Sequence, residues 1–169
     1  MKFKSIALAI ALSACMGTAA AQQPAQPQQQ APQQQAAQSQ QLTQEQQAQL
    51  ARQDAELTSA ATQVVQMIDA NRLADVWDLS TDVVKRIVPR DSFVQQVSAD
   101  RARLGAPTAR GEAVVTRTQF QEGGEVPAGL YINVAFPTTF ANSGEPVREL
   151  VSFRLDEDQV WRLSGYSLR

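Results

Sequence analysis

The sequence predicts an α+β domain in which helices come first and an antiparallel sheet follows. Two patterns and their order carry this reading. Leu57, Ala61, Val64 and Ile68 recur at spacings of four, three and four, which places them on one helix face. From residue 130 onward the period falls to two. Segments 130–140, 146–155 and 160–169 then follow one another, separated by turn residues at Asn142-Ser143-Gly144 and Asp156-Glu157-Asp158-Gln159. All the helical segments precede the strands instead of alternating with them, which separates α+β from α/β.

Taken in order, the 169 residues begin with an export leader: a basic Met1-Lys2-Phe3-Lys4, a short apolar run, and an Ala19-Ala20-Ala21 cleavage site. The apolar run is too short to cross a membrane. A second signal overlaps the first. Leu12-Ser13-Ala14-Cys15 fits a lipobox, in which Cys15 would become a lipidated N-terminus. Both readings, signal peptide 1–21 or lipoprotein, put the chain outside a bacterial cytoplasm, in the periplasm or secreted. Segment 22–41 holds 12 Gln among Ala, Pro and one Ser. It has too little apolar surface to offset ordering, so it reads as a disordered linker before a single domain over 42–169.

That domain opens at Thr43-Gln44-Glu45-Gln46, a capping-box pattern. The apolar stripe of this first helix starts only near residue 55, so its earlier turns should project. A break near Asn71 leads to a short helix with Leu73, Val76 and Trp77 on one face. A third helix runs from Asp82 until Pro89 stops it. A fourth spans 91–104, with Asp91 as its cap, Phe93, Val97 and Leu104 as its apolar face, and Gly105 with Pro107 as its end. Strand one is 111–120, and a loop at 122–129 carrying Gly123-Gly124 joins it to strand two, completing a four-strand meander.

Composition excludes several chemistries. There is no histidine, and Cys15 is the only cysteine, so Ser-His, Cys-His and imidazole–zinc sites are ruled out. Removing 1–21 takes away Lys2 and Lys4 and no acid. Basic residues then number 13 against 17 acidic ones, a net charge of about −4 that offers nothing to nucleic acid. Asp156-Glu157-Asp158 lacks the spaced oxygen ligands of a calcium loop and reads as an acidic hairpin tip. No metal or cofactor is expected.

From about Leu73 to the C-terminus the chain resembles the bacterial family known as domain of unknown function 4019 (DUF4019). The residues that carry the resemblance are Val76-Trp77-Asp78, Arg101-Ala102-Arg103-Leu104-Gly105 with Arg110, and Gly129-Leu130-Tyr131. Phe136-Pro137-Thr138-Thr139-Phe140-Ala141-Asn142, Glu149-Leu150-Val151 and the ending Val160-Trp161-Arg162-Leu163-Ser164-Gly165-Tyr166 complete it. The resemblance implies a small exported protein with a cystatin-like cone, as in nuclear transport factor two, in which a curved sheet wraps a long helix. It implies no activity. Two departures are Pro137 within strand two and Asp158-Gln159 where a glycine turn is usual.

Glu149 is the most informative polar residue. It alternates in phase with Val147, Val151 and Phe153, so it should face the covered side of the sheet, where a carboxylate must be paired or neutralised. One reading pairs it with Arg101, Arg103 or Arg110. The other makes it a general acid or base in a cone pocket, as carboxylates are in some enzymes of that fold. Trp77, Tyr131, Phe136, Phe153, Trp161 and Tyr166 either line a small-molecule pocket or fill the core, with the Tyr166 hydroxyl needing a partner. Trp77 and Trp161 are both expected to lie largely buried in one core. The leading functional expectation is a non-catalytic binding module for a small apolar ligand or a protein partner, as a monomer or weak homodimer. The alternatives are an enzyme using Glu149 and an envelope-anchored lipoprotein held through Cys15.

Overall fold

The computed structural model describes residues 42–169; the leader, Cys15 and segment 22–41 lie outside the described residues. Helix α1 (Gln44–Asp69) starts at the expected capping box. The Gln46 N–H donates to Thr43 Oγ1 at 3.2 Å, and the Thr43 N–H donates to Gln46 Oε1 at 2.9 Å. Its first buried residue is Leu57, so the preceding turns contribute little to the core. Asn71, in the left-handed region at φ 58°, turns the chain into α2 (Leu73–Asp78).

Helix α3 (Asp82–Ile87) is capped by Thr81, whose Oγ1 accepts the Val84 N–H at 3.1 Å, and it buries none of its own residues. Helix α4 (Arg90–Leu104) packs on α2 and begins one residue earlier than the sequence suggests. Pro89, not Asp91, is the N-cap, its carbonyl accepting the Phe93 N–H at 3.0 Å. Asp91 instead lies in the first turn, where its charge suits the positive end of the helix dipole. Gly105 ends α4 at φ 77°, as expected of a glycine stop.

The sheet has five antiparallel strands, not four: β1 (Pro107–Arg110), β2 (Val114–Phe120), β3 (Gly129–Phe140), β4 (Val147–Leu155) and β5 (Trp161–Leu168). The last four form the expected meander. The addition is β1, which pairs with Thr138–Phe140 on the same edge of β3 whose other end, Gly129–Ala135, pairs with β2. Thus β1 and β2 are one edge broken between residues 110 and 114, and Pro137 sits opposite the break.

The break has a steric and a hydrogen-bonding cause. The Pro137 carbonyl accepts the Gly111 N–H at 2.8 Å, so the side of Pro137 that lacks a donor faces this edge. The ladder to β4 therefore loses nothing. A Cβ at residue 111 would lie 2.7 Å from Pro137 Cγ, which explains why glycine stands there. Pro107, expected to help end α4, is instead the first residue of this short strand.

Two register irregularities, at Pro107/Ala109 and at Ser152/Phe153, add local bends to the sheet. A parallel bridge from Ser80 to Leu163, with the Thr81 N–H on the Leu163 carbonyl at 2.8 Å, ties the α2–α3 connection to the outer edge of β5. The core lies between α1 and the inner sheet face. Leu57, Ala61, Val64, Val65 and Ile68 meet Ile132, Val134, Phe136, Val151, Phe153 and Leu163. Each large side chain there stabilises by about 1.5–3 kcal/mol.

The two tryptophans do not share this core. Trp161 is half-buried against it. Trp77 stands apart on α2, its indole N–H donating to the Val88 carbonyl at 3.0 Å. The reason is that α3 and the stretch to Pro89 fold back over α2, and Trp77 secures that return instead of reaching the sheet.

The glycine–proline contact is testable. Gly111→Ala should destabilise the domain by about 1–2 kcal/mol, because a rigid ring cannot swing aside. Adding Pro137→Ala should recover most of that loss. Additive penalties in urea denaturation of the two single variants and the double would show that the contact is not what fixes glycine there.

Candidate functional site

Glu149 is fully buried, and five polar side chains, one each from α1, α4, β1, β3 and β5, gather at it or at its partners. The Tyr166 hydroxyl donates to Oε1 at 2.7 Å, and the Thr138 hydroxyl donates to Oε2 at 2.8 Å. Arg110 donates through Nε to Oε2 at 2.7 Å and through Nη2 to Oε1 at 3.3 Å. Arg101 Nη1 lies 3.4 Å from Oε1. Both oxygens of the carboxylate are thereby occupied.

The same guanidinium groups hold a second acid, Asp69, at the end of α1. Arg110 Nη1 reaches Asp69 Oδ2 at 2.7 Å, and Arg101 Nη2 reaches Oδ1 at 2.6 Å. Two positive and two negative groups form a neutral clamp joining α1, α4, β1 and β4, with Thr138 of β3 and Tyr166 of β5 completing it. Arg101 also lies over the buried Phe140 ring, 4.9 Å from its centroid. Arg103 stays outside the clamp, exposed, with its nearest carboxylate on Asp100 at 3.5 Å.

Electrostatics agree with the geometry. Burial would lower the Arg110 pKa, but its hydrogen bonds and charge contacts with Asp69 and Glu149 outweigh burial and raise it. Burial raises the Tyr166 phenol, and the Glu149 charge raises it further, so it stays a protonated donor.

The six aromatics proposed for a pocket are divided by the fold. Phe136 and Phe153 are core, and Tyr166 belongs to the clamp. Tyr131 faces the other side of the sheet, edge-on to Phe120 at 5.2 Å, its hydroxyl on the Pro127 carbonyl at 2.8 Å. Trp77 sits on α2. Only Trp161 and Phe153 line the large open cleft of about 880 Å³ between α1, α3 and the β4–β5 hairpin.

The cleft floor is apolar, formed by Val64, Met67, Phe153, Trp161 and Leu163, and its rim carries charges of both signs. On the hairpin wall the acids are already matched. Asp156 accepts from Arg154 at 2.8 Å and Arg162 at 3.1 Å, and Asp158 accepts from Arg162 at 2.8 Å. Gln159 holds φ 63° at the turn where glycine is usual. Glu149 is not among the residues that line the cleft.

Sequence reasoning missed Asp69, Thr138 and the cleft. Asp69 carried a signal: it ends a helix with no basic residue in its last turn, where a negative charge opposes the dipole. Thr138 carried another, as a polar residue in phase with Ile132, Val134, Phe136 and Phe140. The cleft had none, because α3 and the hairpin meet only in three dimensions.

Two expectations follow, one from the clamp and one from the buried phenols. Glu149→Gln and Arg110→Gln should each destabilise by about 2–4 kcal/mol, each stranding a buried charge. The double variant should lose clearly less than the sum, as read by urea denaturation; strict additivity would mean that the contacts in the structure carry no coupling.

The second concerns alkaline pH. Both tyrosines have raised pKa values, Tyr131 chiefly through burial. A phenol with a raised folded pKa keeps its proton after the unfolded chain begins to lose it at about pH 10. Its contribution to stability is therefore whole below about pH 10 and falls away above it. Ultraviolet titration of the native chain should show less phenolate at about pH 10 than the chain in denaturant, whose tyrosines are half ionised there. A native curve that overlays the denatured one would refute this.

No curated protein and no solved structure matches the chain. One family model does, and it begins at residue 60, inside α1, earlier than the resemblance traced from Leu73. It takes in the last ten residues of α1, ending at Asp69, all of α2–α4 and β1–β4, and β5 as far as Tyr166. The match runs over residues 60–166, and the chain belongs to the family described as protein of unknown function (DUF4019).

Proposed function

We propose that this chain is an exported, non-catalytic binding module whose cleft takes a small apolar ligand. The observation that supports it is the saturation of Glu149: with both oxygens held and no exposure, it has no lone pair to offer a substrate proton. The cleft, in contrast, is open and of a size that suits small-molecule sites. The leader 1–21 supports export to the periplasm or beyond. A cystatin-like cone is the finer reading of the fold, supported by the long helix α1 on the inner sheet face and by the two strand irregularities.

A thermal-shift screen of apolar compounds on residues 22–169 tests the proposal. A compound present at 100 times its Kd should add about 2.7 kcal/mol of stability. Trp161→Ala should remove most of that gain, and Arg148→Gln, on the opposite sheet face, should keep it. Turnover of a bound compound, lost in Glu149→Gln, would instead assign the chain to the enzymes.

A further inference from the structure

The charges around the cleft are not equivalent once their partners are counted. Asp156 and Asp158 are matched by Arg154 and Arg162, and Asp78 lies 3.6 Å from Arg90. On the α3 wall, Lys85 and Arg86 have no carboxylate within ion-pair distance among the described residues. Two cleft acids are likewise unmatched. Asp82 is in the first turn of α3, where the positive end of the helix already suits its charge, and Glu157 is at the exposed hairpin tip.

Lys85 is also fixed in place. Its ammonium donates to the Asp78 carbonyl at 2.8 Å and lies 5.6 Å from the Trp77 ring centroid. A carbonyl and an aromatic face hold the cation without neutralising it, so its charge stays available beside an apolar floor. This also gives Trp77 its second task, since the same ring anchors Val88 at the far end of α3.

We infer that the cleft binds an anionic amphiphile, a soluble long-chain carboxylate. Its head group meets Lys85 and Arg86, and its chain lies along Met67, Phe153 and Trp161. The inference rests on the binding-module reading above and names the ligand class for that same cleft. A free amphiphile fits better than a membrane surface, because the leaderless chain carries a net charge of about −4.

The test uses residues 22–169 and three probes with the same chain: dodecanoate, dodecanol and dodecyltrimethylammonium, each below its micelle concentration. Tryptophan fluorescence and calorimetry give the affinities. Dodecanoate should bind saturably and about five- to tenfold more tightly than the alcohol, the scale of two partly exposed ion pairs. The cationic probe should bind most weakly.

Replacing Lys85 and Arg86 together by Gln should erase the preference for the carboxylate, and Lys85→Arg should keep it. Both positions are outside the core, and circular dichroism verifies that the variants fold. Equal affinity for all three head groups would overturn the carboxylate assignment and leave the binding module standing. Failure of all three to bind would remove the apolar-ligand reading as well. Tighter binding to phosphatidylglycerol vesicles than to free dodecanoate would overturn the inference in favour of a membrane surface.

Discussion

A carboxylate removed from water must be matched where it stands, and the way this fold is tied together follows from matching Glu149. Its position on β4 is dictated by strand phase, since Val151 and Phe153 on the same face must enter the core. Once there, it needs two cations and two hydroxyls. Each comes from a different element, Arg101 from α4, Arg110 from β1, Thr138 from β3 and Tyr166 from β5. The two arginines together carry more charge than Glu149 can answer, and Asp69 at the end of α1 restores neutrality. An apolar core of similar volume would be as stable or more so. What the charged version adds is a set of directional contacts that tie α1 and α4 to β1, β3, β4 and β5.

Much of this was legible in the sequence because it depends on periodicity. Two-residue phase sets Glu149 inward, and 3.6-residue phase sets Leu57, Ala61, Val64 and Ile68 on the sheet. The capping box at Thr43 and the glycine stop at Gly105 were legible for a related reason, since they solve a local backbone problem with local residues. What could not be read is the meeting of distant segments. Which arginines reach Glu149 depends on where α4 and β1 lie, and Arg103 differs from Arg101 by only half a turn of helix. The strand β1 escaped because it is four residues long and begins at a proline, which reads more readily as the end of a helix. Trp77 escaped because an aromatic in phase with core residues looks like core until the returning chain is seen to need it.

The clamp and the cleft divide the domain into parts with opposite requirements. Around Glu149 every group is satisfied, which suits holding a shape. Around α3 the reverse holds. The helix buries no residue, is held by Thr81 at its start and Trp77 near its end, and leaves its own Ile87, like Leu79 before it, half or more exposed. A wall with so few buried contacts can open locally while the sheet beneath stays fixed.

The separations spanned by the clamp also bear on when it forms. Arg110 and Arg101 reach Glu149 across 39 and 48 residues, and Arg110 reaches Asp69 across 41. Closing such loops costs more chain entropy than forming a helix or the hairpins of the meander. Loop-closure entropy favours a clamp that closes late, after the folding transition state. Interactions absent from that state act on the rate of escape from the native structure, not on the rate of reaching it. The buried ion network is then a latch, setting how long a folded molecule outlasts proteolysis; it would show in the unfolding arm of a chevron plot.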